Sequence, residues 1–181
     1  MKAMNRMFRV ASLLVIALAL SACGFHLRRN AALPPSMGKV HLTVSGGGEL
    51  ERGLARALEN ANVAVVDNAG PGVAELRVPV ATFASQSLTQ GGYARITEYA
   101  IHYQVEFDVA GADGTALLPH QRIDMQREYS YDSTDTVGNA SQVQQIQRSL
   151  VDDMVQAIMF RVEAAGRHAP PAPAQAAAGK P

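Results

Sequence analysis

The stretch Thr97–Val109, TEYAIHYQVEFDV, carries the clearest structural signal in this sequence. Apolar and polar residues alternate along it, and a period of two is typical of a strand with one buried face. The residues on the apolar face are Tyr99, Ile101, Tyr103, Val105, Phe107 and Val109. We therefore predict a long strand over residues 93–109, whose polar face lies in water or against a partner.

Similar strands are predicted on both sides of this one. Downstream, the glycine-rich segment 111–114 predicts a turn into a strand over about 120–132. Upstream, residues 75–84 also alternate, and Leu76, Val78, Val80 and Thr82 are expected on one face. Pro79 cannot donate a ladder hydrogen bond, so we expect this strand at a sheet edge or with a bulge.

A strand–helix–strand unit precedes this antiparallel section. Residues 40–44 alternate, residues 49–60 carry leucines at helical spacing, and residues 63–66 form a short apolar run. This order predicts two parallel strands joined by a right-handed crossover. A second apolar stripe predicts a C-terminal helix over 141–164. The fold class is thus α+β, a two-layer sandwich of one mixed, mostly antiparallel sheet of about four to five strands with two helices on one face.

The first 22 residues have the parts of a bacterial secretory signal. Lys2, Arg6 and Arg9 make the beginning positive, and an apolar run follows from Val10 to Leu20. This run is shorter than the roughly 20 residues that a membrane-spanning helix needs. We therefore predict that residues 1–22 are a signal peptide.

Cys23 is the only cysteine, and Leu20-Ser-Ala-Cys23 fits the lipobox of bacterial lipoproteins. We predict that Cys23 is acylated and becomes the mature N-terminus, since two or more acyl chains suffice for stable anchoring. Gly24 stands where an aspartate commonly retains such proteins in the inner membrane, which favours the outer membrane. With a single cysteine, no intrachain disulfide is expected.

Downstream of the signal, the composition predicts a lipidated tether over 23–38, a folded domain over 39–164 and a disordered Ala/Pro-rich tail over 165–181. The mature chain holds 13 basic and 16 acidic residues, a formal net charge of −3 with neutral histidines. Nucleic-acid binding domains carry a strong basic excess. We therefore expect no nucleic-acid partner.

The polar strand face offers the main candidate for chemistry. Glu98, His102 and Glu106 share this face at four-residue intervals, which corresponds to about 13 Å along a strand and is too far for one metal ion. No set of nucleophile, base and orienting group is evident. We therefore expect no catalytic residues, no metal and no cofactor, and interpret this face as solvated with cross-strand partners.

Two arginines occupy positions whose side chains are expected on the apolar faces of their strands. Arg95 is expected on the same face as Tyr99, and Arg127 on the same face as Met125 and Tyr129. In one interpretation both side chains lie near strand ends and reach the rim beside tyrosines. In the other, they form a site for the phosphates of an amphiphile, because the guanidinium fork matches phosphate oxygens.

Several segments together resemble the LptE (RlpB) family of outer-membrane lipopolysaccharide-assembly lipoproteins. The most specific match is CGFHLR at residues 23–28, followed by LPPSM and KVHL. The helix LERGLARALENANVAVV, the strand TEYAIHYQVEFDV and the strand QREYSYD before a C-terminal helix occur in the family's order. The resemblance covers about residues 20–164.

The resemblance implies a non-catalytic partner of the β-barrel LptD in a one-to-one complex. Such a protein plugs the barrel, assists its folding and helps pass lipopolysaccharide to the outer leaflet, while the acyl chains on Cys23 hold it in the inner leaflet. The family binds lipopolysaccharide through basic residues near the hairpin loop and before the final helix. Here the hairpin segment SLTQGGYARITEY offers Arg95, and the loop DSTDTVGNASQ contains no lysine or arginine.

The alternative is a free outer-membrane lipoprotein that binds an amphiphile or a cell-wall component without a barrel. That protein would have an apolar cavity between sheet and helices. The near-balanced charge and the polar sheet face favour the plug, because the lumen of a large barrel is polar.

Overall fold

Five strands and two helices follow one another in the order that the sequence predicts. The computed structural model describes residues 33–46, 48–88 and 96–168. The elements are β1 (Lys39–Val44), α1 (Gly48–Asn60), β2 (Ala64–Val66), β3 (Ala74–Ser87), β4 (Ile96–Ala110), β5 (Ala116–Asp132) and α2 (Thr136–His168), with a 3₁₀ turn (Pro35–Met37) before β1.

The strands form one sheet in the order β2-β1-β3-β4-β5. β1 is parallel to β2 and to β3, whereas β3 and β4, and β4 and β5, are antiparallel. A parallel pair needs a crossover connection, and α1 provides the one between β1 and β2. The predicted α+β class, the mixed sheet and the two helices are confirmed.

The core lies between the sheet and the two helices, as the alternation of β4 predicts. Ile101, Tyr103, Val105, Phe107 and Val109 are each at most 2 % exposed. They share one buried cluster with the apolar stripes of both helices, whose most buried members are Leu50, Leu54, Leu58, Leu150, Met154, Ile158 and Val162.

One predicted face is wrong in the second half of β3. The β3–β4 register shifts between Arg77 and Val80, so Pro79 lies in a bulge. A bulge adds a residue and inverts the side-chain parity that follows it. As a result Ala81 and Phe83, not Val80 and Thr82, lie on the helix-covered face, opposite Val105 and Tyr103; Ala81 is buried, whereas Phe83 is 38 % exposed. The predicted bulge is confirmed, but β3 lies in the centre of the sheet, and its pairing with β1 ends at Val78.

Described structure extends on both sides of residues 39–164, the range predicted for the folded domain. Met37, assigned to the tether, is fully buried, and Leu33 packs against the core. The C-terminal helix begins at Thr136 and ends at His168, so residues 165–168 of the expected tail are helical. A Cβ on Gly166 would lie 2.8 Å from Pro34, which shows how closely α2 approaches the residues before β1.

The helices cover the sheet unequally because their lengths differ. α1 has 13 residues and α2 has 33, so at 1.5 Å per residue they are about 20 Å and 50 Å long. β4 and β5, with 15 and 17 residues, are about 50 Å or more in length. α2 therefore runs past the end of α1 over part of the sheet.

Candidate functional site

Residues of β3, β4 and β5 form rows across the face that the helices cover. One row is Phe83, Tyr103 and Met125, and the next is Ser85, Ile101 and Arg127. A third row, Ser87, Tyr99 and Tyr129, lies closer to the point where β3 ends. We call these rows and the beginning of α2 the distal end; it comprises residues 83–88, 99–103, 125–132 and 136–147.

A cavity of about 210 Å³, partly open to solvent, lies at the distal end between the sheet and α2. Its walls come from β3, β4, β5 and two turns of α2: Phe83, Ala84, Ser85, Ile101, Tyr129, Val143 and Gln147. The serine contributes only a small side chain to the row that it shares with Ile101. The cavity thus lies beside the small side chain of Ser85, in a part of the sheet that only α2 covers.

Stacked aromatic rings border this cavity. The ring of Phe83 stacks on that of Tyr103 at 4.0 Å and 11°. Burial, together with the nearby carboxylate of Glu49, raises the pKa of Tyr103 to about 12, because a buried phenolate loses its hydration. On the next rows Tyr99 contacts both Tyr129 and Tyr131, at 5.7 and 5.8 Å between ring centroids.

Arg127 lies beside the cavity but is paired. Its Nη2 donates to Asp153 Oδ2 of α2 at 2.7 Å, and the two side chains are 48 % and 45 % exposed. Exposed pairs of this kind contribute about 0–1 kcal/mol. This geometry agrees with the interpretation in which the arginine reaches the rim. Asp153 was missed by sequence reasoning, since nothing in its own segment marks it as the partner of a strand residue.

Two predicted site residues, Cys23 and Arg95, lie outside the described residues. Acylation of Cys23 and contact of Arg95 with lipopolysaccharide therefore stay predictions. Tyr93, in the same hairpin segment as Arg95, also lies outside them.

The connection from β5 to α2 is held by polar contacts that the sequence analysis did not identify. Asn139, 7 % exposed, donates to the carbonyl oxygen of Asp132 at 2.6 Å and accepts from its backbone N–H at 3.2 Å. The backbone N–H and the hydroxyl of Thr134 bind the Asp132 carboxylate and lower its pKa. Asp135 Oδ1 accepts from the N–H of Gly138 at 2.9 Å and caps α2.

The opposite face of the sheet is polar, and several of its side chains have partners of opposite or complementary polarity on neighbouring strands. Arg77 donates twice to Asp108, at 2.9 and 2.6 Å, and this hydrogen bonding raises the pKa of the arginine. His120 lies 3.6 Å from Glu106. His102 likewise faces Asp124 at 3.7 Å. The cross-strand partners expected for this face are therefore present.

Across residues 33–46, 48–88 and 96–168, no three His, Cys, Asp or Glu side chains form a cluster that could hold a metal ion. The same residues include no helix with the length and hydropathy of a membrane span. The fold and site thus define an α+β domain with one helix-covered face, one polar face and a partly open cavity of aromatic, aliphatic and polar side chains at one end.

The model of the family described as LptE, lipopolysaccharide-assembly, matches residues 36–162. The chain belongs to this family, so the family resemblance is confirmed. No curated protein matches the chain.

Solved structures with similar folds are lipoproteins of other bacteria. A lipoprotein B from Nitrosomonas europaea is 22 % identical with a TM-score of 0.66, and the match covers 80 % of this chain and 94 % of that one. The rare lipoprotein B from Shewanella oneidensis is 22 % identical with a TM-score of 0.60, covering 71 % and 96 %. A minor lipoprotein from Acinetobacter baumannii is 24 % identical with a TM-score of 0.59, covering 71 % and 92 %. At these identities the likeness establishes the fold.

Proposed function

We propose that this chain is an outer-membrane lipoprotein that plugs an LptD-like β-barrel, assists its assembly and helps deliver lipopolysaccharide to the outer leaflet. The observation that carries the proposal is the family match over residues 36–162. That range contains all of β1 to β5, α1 and most of α2. The lipobox at Cys23 supports anchoring by acyl chains, and we expect no catalytic activity.

The polar sheet face supports the plug part of the proposal. Polar side chains on this face contact one another across strands, as in Arg77–Asp108 and His120–Glu106. A polar surface suits the water-filled, polar interior of a large barrel. We therefore propose that this face contacts the barrel wall.

The chain enters the domain at the end opposite the cavity. Pro34 lies against Gly166 near the end of α2, and Ser36 lies near Gly111 in the turn between β4 and β5. On β4 the distal end comprises residues 99–103, which precede Gly111 by 8–12 residues, or about 25–40 Å along the strand. The tether to Cys23 therefore joins the domain at the end away from the cavity.

Affinity purification of the tagged full-length chain from its own membranes tests the partnership. We expect one large outer-membrane barrel in a one-to-one complex that persists in mild detergent. Recovery of the lipoprotein alone from membranes that contain an LptD homologue would contradict the proposal. It would instead support the free lipoprotein that binds an amphiphile, for which the cavity between sheet and α2 is the favouring observation.

Photo-crosslinking can test the contact face. A photoreactive residue at Gln104, on the polar sheet face, should form an adduct with the barrel. The same residue at Glu59, exposed on α1, serves as the control and should give less of that adduct. Equal or stronger crosslinking from Glu59 would refute this choice of face.

Contact of Arg95 and Arg127 with lipopolysaccharide is a separate proposal. Arg127 is paired with Asp153, which partly neutralises its charge. We therefore expect Arg127 to contribute less than Arg95 to the binding of a phosphate. The double variant Arg95→Glu/Arg127→Glu should bind lipopolysaccharide more weakly in a pull-down from detergent. Unchanged binding by a folded double variant would remove both residues from the site.

A further inference from the structure

We propose that the cavity at the distal end binds an acyl chain of lipopolysaccharide. This inference deepens the proposed function and rests on it for the choice of amphiphile. It assigns the contact to the apolar part of the lipid and to the walls formed by β3, β4, β5 and α2, rather than to phosphates and arginines.

The size and lining of the cavity fit part of an alkyl chain. Dry apolar cavities of about 150 Å³ are large enough to bind benzene, and this one measures about 210 Å³. Phe83, Ile101, Tyr129 and Val143 supply apolar and aromatic walls, while Gln147 contributes an amide. Each methylene that leaves water there is stabilised by about 0.8 kcal/mol.

Exposed apolar residues concentrate at the same end. Within the described residues, the exposed large hydrophobic side chains are Phe83 (38 %), Leu88 (43 %), Val137 (78 %) and Phe160 (55 %). The first three belong to the distal end, and Phe83 also lines the cavity itself, so exposed apolar surface is concentrated at this end. Exposed apolar surface grouped at one place commonly marks a binding site.

The polypeptide of the mature N-terminal segment is too short to bring an aromatic side chain to this cavity. Pro34 is held against Gly166, which lies 23 residues after Val143 in α2, or about 35 Å along the helix axis. Phe25, the first aromatic residue after Cys23, is nine residues before Pro34 and reaches about 30 Å at most. An acyl chain on Cys23, eleven residues or about 36 Å of extended chain before Pro34, has the length to reach it, so an adduct formed there must be identified as lipopolysaccharide by mass spectrometry. The C-terminal segment 169–181 has the length to reach but contains no large apolar residue.

Charge favours the acyl chain over the headgroup at this position. The described residues hold 9 basic and 16 acidic side chains, so the domain repels phosphates at long range. Among the described residues, Arg127 lies beside the cavity and is paired with Asp153. A partner protein is also a poor fit, because stable interfaces bury about 800 Å² on each side, whereas the recess admits a group slightly larger than benzene.

The test uses the full-length lipoprotein in its own outer membrane. A benzophenone amino acid, which inserts into nearby C–H bonds, replaces Gln147 in the cavity wall. Irradiation should give an adduct that antibodies to lipopolysaccharide detect, and mass spectrometry should place the new bond on an acyl chain. The same amino acid at Phe160, exposed elsewhere on α2, should give little of this adduct.

A filling substitution on β3 provides the decisive comparison. Ser85→Phe places a ring in the cavity and should lower the lipopolysaccharide adduct by about tenfold or more. Gln86→Phe, the next residue on the opposite sheet face, should keep the adduct within about twofold of the parent, since it leaves the cavity open. Equal adduct in both variants overturns the proposal, as does an adduct made only of phospholipid or no lipid adduct at all.

Val143→Phe fills the cavity from the helix side and replaces Ser85→Phe if that variant does not accumulate. Its control is Gln156→Phe, at an exposed position of the same helix outside the distal end. Co-purification of a barrel is measured separately. If no barrel co-purifies but the acyl adduct forms, the barrel-plug proposal is contradicted and the acyl-chain proposal is not. If a barrel co-purifies but no acyl adduct forms, only the acyl-chain proposal is contradicted.

Discussion

Gly53 in α1 tests how tightly the two helices pack. A Cβ at this position would lie 2.7 Å from Val155 Cγ2 of α2, closer than van der Waals contact allows. Val155 is 8 % exposed, and a helical valine has one strongly preferred rotamer. The methyl group therefore cannot turn away without moving a helix.

Two opposing effects set the magnitude for Gly53→Ala. Replacing glycine by alanine within a helix stabilises it by about 1 kcal/mol, whereas overpacking a well-packed core costs about 1–3 kcal/mol. We expect a net decrease of about 0–2 kcal/mol in the free energy of unfolding. In a Val155→Ala background the clash is absent, so the same change should stabilise by about 1 kcal/mol.

Urea unfolding of the full chain and its three variants gives the coupling energy of this double-mutant cycle. Gln144→Gly and Gln144→Ala, at an exposed position of α2, calibrate the helix-propensity term in the same protein. We expect a coupling energy of about 1 kcal/mol or more. Stabilisation by Gly53→Ala in the wild-type background, with no coupling to Val155, would refute the close packing of the helices.

Three further predictions concern other parts of the chain. Folding raises the pKa of Tyr103 to about 12 because burial favours the neutral phenol. The associated stability, about 2 kcal/mol, is present below the ordinary pKa of about 10 and is lost as pH rises toward 12. Tyr103→Phe should flatten this decline in unfolding experiments, and an unchanged decline would refute the assignment. Asn139→Ala should lower the free energy of unfolding by about 1–3 kcal/mol and speed hydrogen exchange at the Asp132 amide, since it leaves buried backbone groups unpaired; protection equal to wild type would argue against that contact. Cys23→Ala should abolish acylation and membrane anchoring, measured by extraction and mass spectrometry, and a variant still held by acyl chains would disprove the lipobox assignment.

The sequence predicts the architecture well where one face of an element is uniformly apolar. β4 shows this best, because its alternation directly determines which residues are buried. The stripe of α2 is equally informative over its second half, where Leu150, Met154 and Ile158 are at most 1 % exposed. In both elements burial depends on local periodicity, which a single sequence displays.

Errors arise where tertiary contacts decide the outcome. Pro79 predicts a bulge in β3, but the alternation itself does not indicate that the side chains after it change to the other face of the sheet. The beginning of α2 is hidden because its first turns are polar and are fixed by the Asp135 cap and by Asn139 rather than by burial. The packing of Met37 against the core is likewise absent from the local pattern.

The candidate site was predictable only in part. The concentration of tyrosines in two strands indicated the aromatic side of the cavity. The cavity itself depends on the small Ser85 opposite Ile101 and on the difference in length between α1 and α2. These are properties of the assembled sheet and helices, so no local motif encodes them.

The role in lipopolysaccharide assembly is tested most directly by depleting the chain in its own cells and measuring the lipopolysaccharide that a membrane-impermeant reagent labels on intact cells. We expect surface lipopolysaccharide to fall as the lipoprotein is lost and to recover when the wild-type chain is restored. Undiminished surface labelling in fully depleted, growing cells would contradict it.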